Sequence, residues 1–178
     1  GAVAGSGHVS NFGHLVEDMT IYFTGNLIID DYITFRRCTF LFADNIGIKS
    51  DKHWMYLPPF NINVSPHSSC GSGKWAGIQG TFNHNDAGGF KFENNCTISN
   101  AKIGVDIVMN GGSFEFSNVS FENCDAGIYI DGSFSNGPDK LAVSNCIFNN
   151  VKFGIKGTKY DKRFQISSTN TFTNCDLA

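Results

Sequence analysis

The sequence predicts an all-β chain wound as a right-handed parallel β-helix of about six coils, and three observations carry that expectation. The first is a Gly followed by Ile or Val at Gly47-Ile48, Gly77-Ile78, Gly104-Val105, Gly127-Ile128 and Gly154-Ile155. These steps recur at intervals of roughly 23 to 30 residues, the size of a unit that cannot bury its own apolar face and therefore stacks on its neighbours. The second is that the segments between the steps align column by column. The third is a set of Asn residues that holds the same offsets in every aligned copy.

Each copy opens on apolar-polar-apolar alternation, the period of a strand with one buried face. The aligned openings are Ile33-Thr34-Phe35, Phe90-Lys91-Phe92, Phe114-Glu115-Phe116, Leu141-Ala142-Val143 and Phe164-Gln165-Ile166. A second short strand follows and carries the column Phe40, Ile98, Phe121, Phe148, Phe172. A third begins at the Gly step, where glycine is expected to turn a corner with positive φ and the next residue points inward. Three strands make one coil, and coils stack at the ordinary inter-strand spacing of about 4.8 Å. Propeller blades and leucine-rich repeats fit less well, because the first need about 40 residues per unit and the second a leucine ladder backed by helices.

The corners repeat as faithfully as the strands. Asn95, Asn118 and Asn145 fall three residues before the second-strand apolar position, and Asn100, Asn123, Asn150 and Asn174 two residues after it. Asn tolerates left-handed backbone, and stacked identical amides can hydrogen-bond from coil to coil, so both columns are read as structural ladders. A further column, Lys102, Asp125, Lys152, Asp176, alternates in charge. It is expected to form ion pairs up the stack that penalise a slipped register.

With 178 residues, 41% apolar content and 17 Phe, the chain is long enough for one sizeable core. Residues 1–24 are expected to form an N-terminal segment in which His8 to Thr24 supplies a cap or first strand over one open end, and 25–178 the solenoid. The leading run from Gly1 to Gly7 is small and flexible, as a processed start or a linker would be, and the break in mid-coil at Ala178 favours a fragment of a longer chain. The net charge is −3 and the 13 Lys and Arg are scattered, which excludes an electrostatic strip for nucleic acid. No apolar run is long enough to span a membrane.

Six Cys suggest a disulfide framework, yet their columns point elsewhere. Cys96 and Cys146 flank Val119, and Cys124 and Cys175 flank Val151, so each pair lies two coils apart. That is roughly 9 to 10 Å, beyond the reach of about 7 Å between Cα atoms of a disulfide. They read as buried free thiols that interchange with Val, and no spacing suggests zinc or any other cofactor.

Two segments break the repeat. Residues 49 to 74 hold Trp54, Tyr56, Pro58-Pro59 and a Ser, Gly and His-rich run, and read as a long loop or an irregular coil. His53, Trp54, Tyr56 and His67 are the candidate ligand contacts there, since departures from a solenoid tend to carry binding; the alternative is that they cover an uneven coil. Residues 131 to 140 form a Gly-rich protruding turn in which Asp131 and Asp139 are the one candidate cation pair.

With the Gly-Ile column, the Asn ladders and the phrases Asn95-Cys96-Thr97-Ile98, Asn118-Val119-Ser120-Phe121 and Asn145-Cys146-Ile147-Phe148 in view, the chain resembles the pectin-lyase-like right-handed β-helix superfamily. The stretch from Thr24 to Asp31, with Thr34-Phe35, Cys38-Thr39-Phe40 and Trp75-Ala76-Gly77-Ile78, is most similar to β-helix regions of large secreted or surface proteins of Bacteroidota. The superfamily joins polysaccharide lyases and glycosidases to adhesins with no catalysis, so the fold alone does not choose among them. A calcium-dependent lyase would need clustered carboxylates beside an Arg or Lys. The nearest group is Arg36 and Arg37 near Asp30 and Asp31, but Arg37 falls in the corner Asn column. Inverting hydrolysis would need two carboxyl groups about 6.5 to 9.5 Å apart. Asp106 aligns with Tyr129 and Lys156, Asp131 has no partner column, and no His-Gly pair occurs. The expectation is a secreted or cell-surface, non-catalytic module, structural or adhesive, with polysaccharide or other surface proteins as partners and self-association through an open end as a further route. The alternative is a polysaccharide lyase or glycoside hydrolase of the same superfamily.

Overall fold

The computed structural model describes residues 2–4, 7–8, 15–31, 33–51, 54–57, 63–66, 73–82, 89–109, 112–132, 140–158 and 163–177. Its strands pair in parallel throughout, each with its equivalent one coil away, so the chain is a parallel β-helix. In chain order, β1 (Ala2–Ala4) and β2 (Gly7–His8) come first, then β3 (Leu15–Glu17), β4 (Thr20–Phe23) and β5 (Leu27–Ile29). The next coil is β6 (Ile33–Arg36), β7 (Thr39–Phe42) and β8 (Gly47–Asp51), followed by β9 (Trp54–Leu57), β10 (Asn63–Pro66) and β11 (Gly77–Phe82). Above these lie β12 (Gly89–Ser99) with β13 (Ile103–Met109), and β14 (Ser113–Glu122) with β15 (Ala126–Gly132). The last coils are β16 (Lys140–Ser144), β17 (Ile147–Asn149) and β18 (Phe153–Gly157), then β19 (Phe164–Ile166) and β20 (Thr171–Thr173).

One face is the seven-stranded sheet β18-β15-β13-β11-β8-β5-β2. The other two faces are joined, because β12 and β14 run unbroken through the corner that divides first from second strands elsewhere. One extra residue at that corner in β12, between Glu93 and Cys96, is absorbed as a bulge.

The expected register is the observed one. Phe121 lies between Ile98 and Phe148, and Ile48, Ile78, Val105, Ile128 and Ile155 pair in sequence up the third face. Inward columns of Phe, Ile, Leu and Val are buried along the molecule. Rings stack at the coil rise: Phe121 on Phe148 at 4.9 Å and 2°, Phe148 on Phe172 at 4.8 Å and 6°, Phe23 on Phe42 at 4.7 Å and 13°. Trp75 extends the lower stack, 5.0 Å from Phe42, and its indole N–H donates to the Ser99 carbonyl at 2.8 Å, which satisfies the one polar group it buries.

Two expectations change, and of the two readings of 49–74 the irregular coil is the one observed. Residues 1–24 do not sit apart as a cap where they are described: β3 and β4 pair in parallel with β6 and β7, and β1 and β2 with β4 and β5, so the coil repeat begins earlier and stacks seven strands on the third face. Within 49–74, β9 pairs with β6 and β12, and β10 with β7 and β12, which makes this segment a coil whose strands keep register between irregular connections. Of the Gly residues at the third-strand step only Gly77 has positive φ, at 96°. Gly47, Gly104 and Gly127 are needed for space: a Cβ on Gly127 would lie 2.6 Å from the Gly154 carbonyl oxygen and 2.7 Å from the Phe148 ring, and one on Gly104 would meet Gly127 and Phe121 as closely.

Among the described residues no helix is long and apolar enough to cross a membrane.

Candidate functional site

The corners are where the repeat turns outward, and both are built on left-handed backbone. Between first and second strands the residues are Asp18, Arg37, Asn95, Asn118 and Asn145, with φ from 50° to 67°. Asn and Asp accept this region at little cost; Arg does not, and is held by what it touches. Arg37 donates from Nε and from its terminal nitrogen to the two carboxylate oxygens of Asp18, each at 2.5 Å, a two-pronged pair in which Asp18 occupies the same corner one coil below. Glu17 joins this cluster at 3.6 Å from Arg37 and 3.5 Å from Arg36. The hydrogen bond from Arg37 holds the Asp18 carboxyl below its ordinary value. Arg37 therefore decorates a turn, as its column implies.

Between second and third strands stand Asn100, Asn123, Asn150 and Asn174, with φ of 53°, 54°, 53° and 52°. The backbone N–H of each of the first three donates to the coil above: Asn100 to the Glu122 carbonyl at 2.8 Å, Asn123 to Asn149 at 3.1 Å, Asn150 to Thr173 at 2.9 Å. One amide link runs between side chains, from Asn150 Nδ2 to Asn123 Oδ1 at 2.6 Å. Among the described residues the side-chain amides of Asn100 and Asn174 make no hydrogen bond, and the Asn95, Asn118, Asn145 column shows no amide-to-amide link. The ladder is thus a backbone device first, with amide stacking at one step only.

These four amides line a shallow groove of about 380 Å³ together with Lys74, Asp125, Lys152 and Asp176. The charge column does not pair as its alternation suggests. Asp125 takes Lys74, at 2.5 Å from two coils below, and Lys152 places its ammonium 5.5 Å from the Phe153 ring centroid. Among the described residues no ion pair joins Lys102, Asp125, Lys152 and Asp176 to one another. A long exposed lysine gains little from any one partner, so reach rather than column decides which carboxylate it meets.

The remaining candidates separate. Trp54 and Tyr56 fall on β9, in register with Gly89 and Lys91, while His53 and His67 lie outside the described residues. Asp139 also lies outside them. Asp131 has a partner column after all: it pairs with Val108, and its carboxylate accepts a hydrogen bond from the Thr158 hydroxyl at 2.8 Å. Asp106 pairs with Tyr129 one coil up, so Asp106 and Asp131 are diagonal neighbours on one outward face. Burial first, and the Asp131 charge second, push the Asp106 carboxyl up. Sequence alignment by coil missed this pair because it compares like offsets, and the two carboxylates sit two residues out of step.

Cys38, Cys96, Cys124 and Cys146 are buried free thiols and Cys175 is a half-buried one, as their columns imply; Cys70 lies outside the described residues. Burial pushes the Cys124 and Cys146 thiols up to about 11, which keeps them protonated and poorly nucleophilic near neutral pH.

Comparison with protein-family models, with curated proteins and with solved structures finds no match at the level of significance applied.

Proposed function

We propose that this chain is a non-catalytic β-helix module of a secreted or cell-surface protein, a rigid spacer whose outer faces adhere to polysaccharide or to other surface proteins. The observation that carries it is the recurrence of one corner residue over four successive coils, the amides of Asn100, Asn123, Asn150 and Asn174 on one line. A row of like groups at a fixed spacing suits a ligand that itself repeats, and a continuously stacked core suits a part that must not bend. The resemblance of its corner and strand phrases to pectin-lyase-like proteins, and to surface proteins of Bacteroidota in particular, agrees with this reading. The test is a screen of the purified protein against a panel of immobilised polysaccharides; failure to retain it on any of them removes the adhesive half of the reading.

One observation favours a second reading, a glycoside hydrolase. Asp106 and Asp131 are diagonal neighbours on adjacent coils, and burial pushes the Asp106 carboxyl up, the direction a general acid needs. New reducing ends released from a polysaccharide by the wild type and not by Asp106→Asn would establish it and displace the spacer.

A further inference from the structure

We infer that the amide corner is the carbohydrate site, and that its ligand is an uncharged, extended glycan lying along the solenoid axis. The inference rests on the polysaccharide-binding reading above and deepens it by naming the face and the ligand class.

Four observations lead there. Asn100, Asn123, Asn150 and Asn174 share φ within 2°, so their Cα–Cβ bonds repeat and each coil offers one amide to the same line. Successive amides are therefore about one coil rise apart, roughly 4.8 Å, so a ligand that repeats along the solenoid axis can meet one amide at each step. Left-handed backbone explains the choice of Asn but does not use up its side chain: the Asn100 and Asn174 amides make no hydrogen bond among the described residues, and a carboxamide that presents both donor and acceptor matches a pair of neighbouring sugar hydroxyls. The groove is open rather than a closed pocket and its lining runs over successive coils, which fits a chain passing along it.

Charge selects the class. Lys74 and Lys152 face the groove with Asp125 and Asp176, and the closest pair, Lys74 with Asp125, is already neutralised. A uronate chain would meet two carboxylates as well as two ammonium groups and gain nothing on balance. A neutral glycan pays no such penalty and leaves the charged groups hydrated at the rim.

The test compares binding of cellohexaose and of hexagalacturonate by titration calorimetry, for the wild type and two double variants. Asn123→Gly with Asn150→Gly removes two amides while keeping a residue that accepts the left-handed corner. Asn118→Gly with Asn145→Gly does the same at the other corner and serves as the control. The expected result is that cellohexaose binds the wild type, with little change between low and high salt, binds the control within about twofold, and binds the groove variant about tenfold more weakly. Lys152→Gln, an exposed change in the groove lining that leaves both corners intact, supplies the readout if the groove variant does not fold: tightened binding of hexagalacturonate by the wild type over Lys152→Gln, lost with salt, overturns the neutral class. Equal affinity of the groove variant and the wild type overturns the site while the polysaccharide reading stands. Absence of retention on every polysaccharide removes both.

Discussion

The same corner is built in two ways in this molecule. In the N-terminal coils it carries Asp18 and Arg37, joined by a two-pronged ion pair; in the later coils it carries Asn95, Asn118 and Asn145, which make no amide link to one another among the described residues. The backbone is alike in both, with φ between 50° and 67°. What the fold demands at this point is therefore a left-handed residue and not a particular side chain. Asn meets the demand by itself, whereas Arg meets it with help from a neighbour one coil away. The cores beneath the two regions differ much less, since each is a stack of parallel rings at the coil rise.

The largest expected effect tests that equality of the cores. Phe148→Ala removes the middle ring of the Phe121, Phe148, Phe172 stack and should cost about 3–5 kcal/mol; Phe42→Ala, between Phe23 and Trp75, should cost the same. Phe172, half-buried at the end of its stack, should cost clearly less. Denaturant unfolding measures all three, and a cheap Phe42→Ala would mean that the two regions are not packed alike.

Next in size is a steric test of the third-strand step. Gly127→Ala sets a methyl against the Gly154 carbonyl and the Phe148 ring and should cost about 1–3 kcal/mol. The loss should shrink when Phe148 is trimmed to Leu in the same chain, since the ring is one of the two obstacles. Additive losses would show that backbone contact alone sets the requirement.

A smaller effect separates backbone from amide at the second corner. Asn123→Ala forces an ordinary side chain into φ of 54° and should cost about 1–2 kcal/mol, while Asn123→Gly should be nearly neutral in thermal unfolding. If the two substitutions destabilise equally, the hydrogen bond to Asn150 and not the left-handed corner is what Asn123 contributes.

Much of this was legible in the sequence because a stacked coil places like residue on like residue, so that Gly127 over Gly154 and Phe121 over Phe148 appear as columns before any coordinates exist. The corner amides were legible for the same reason. The coil holding β9 and β10 was harder to read: Met55, Tyr56 and Leu57 carry the right alternation, but Pro58-Pro59 and a long Ser and Gly-rich stretch disturb the spacing to the next Gly. The N-terminal coil reads only as a cap or first strand because Asn26 stands where later copies have the Gly of the third-strand step. The Lys74 contact with Asp125 and the diagonal of Asp106 with Asp131 were not legible at all, since one spans two coils and the other crosses columns. Side-chain reach and diagonal proximity leave no trace in an alignment of copies.

The smallest effect belongs to the ion-paired corner itself. Asp18 is held below its ordinary value of 3.8 by the hydrogen bond from Arg37, so the unfolded chain binds a proton there before the folded one does. The stabilisation is present above the unfolded pKa and is lost as the pH falls through the folded one, below about 4. Exposure to solvent keeps it small and screened by salt. Arg37→Asn should abolish that acid-dependent loss and remove the cost of a left-handed Arg at the same time. At neutral pH the thermal midpoint should then hardly move, and between pH 4 and 2 it should fall less steeply than in the wild type. Parallel curves for the two proteins across that window would show that the Asp18–Arg37 pair gives this corner nothing that an amide would not, and that the two constructions differ in appearance only.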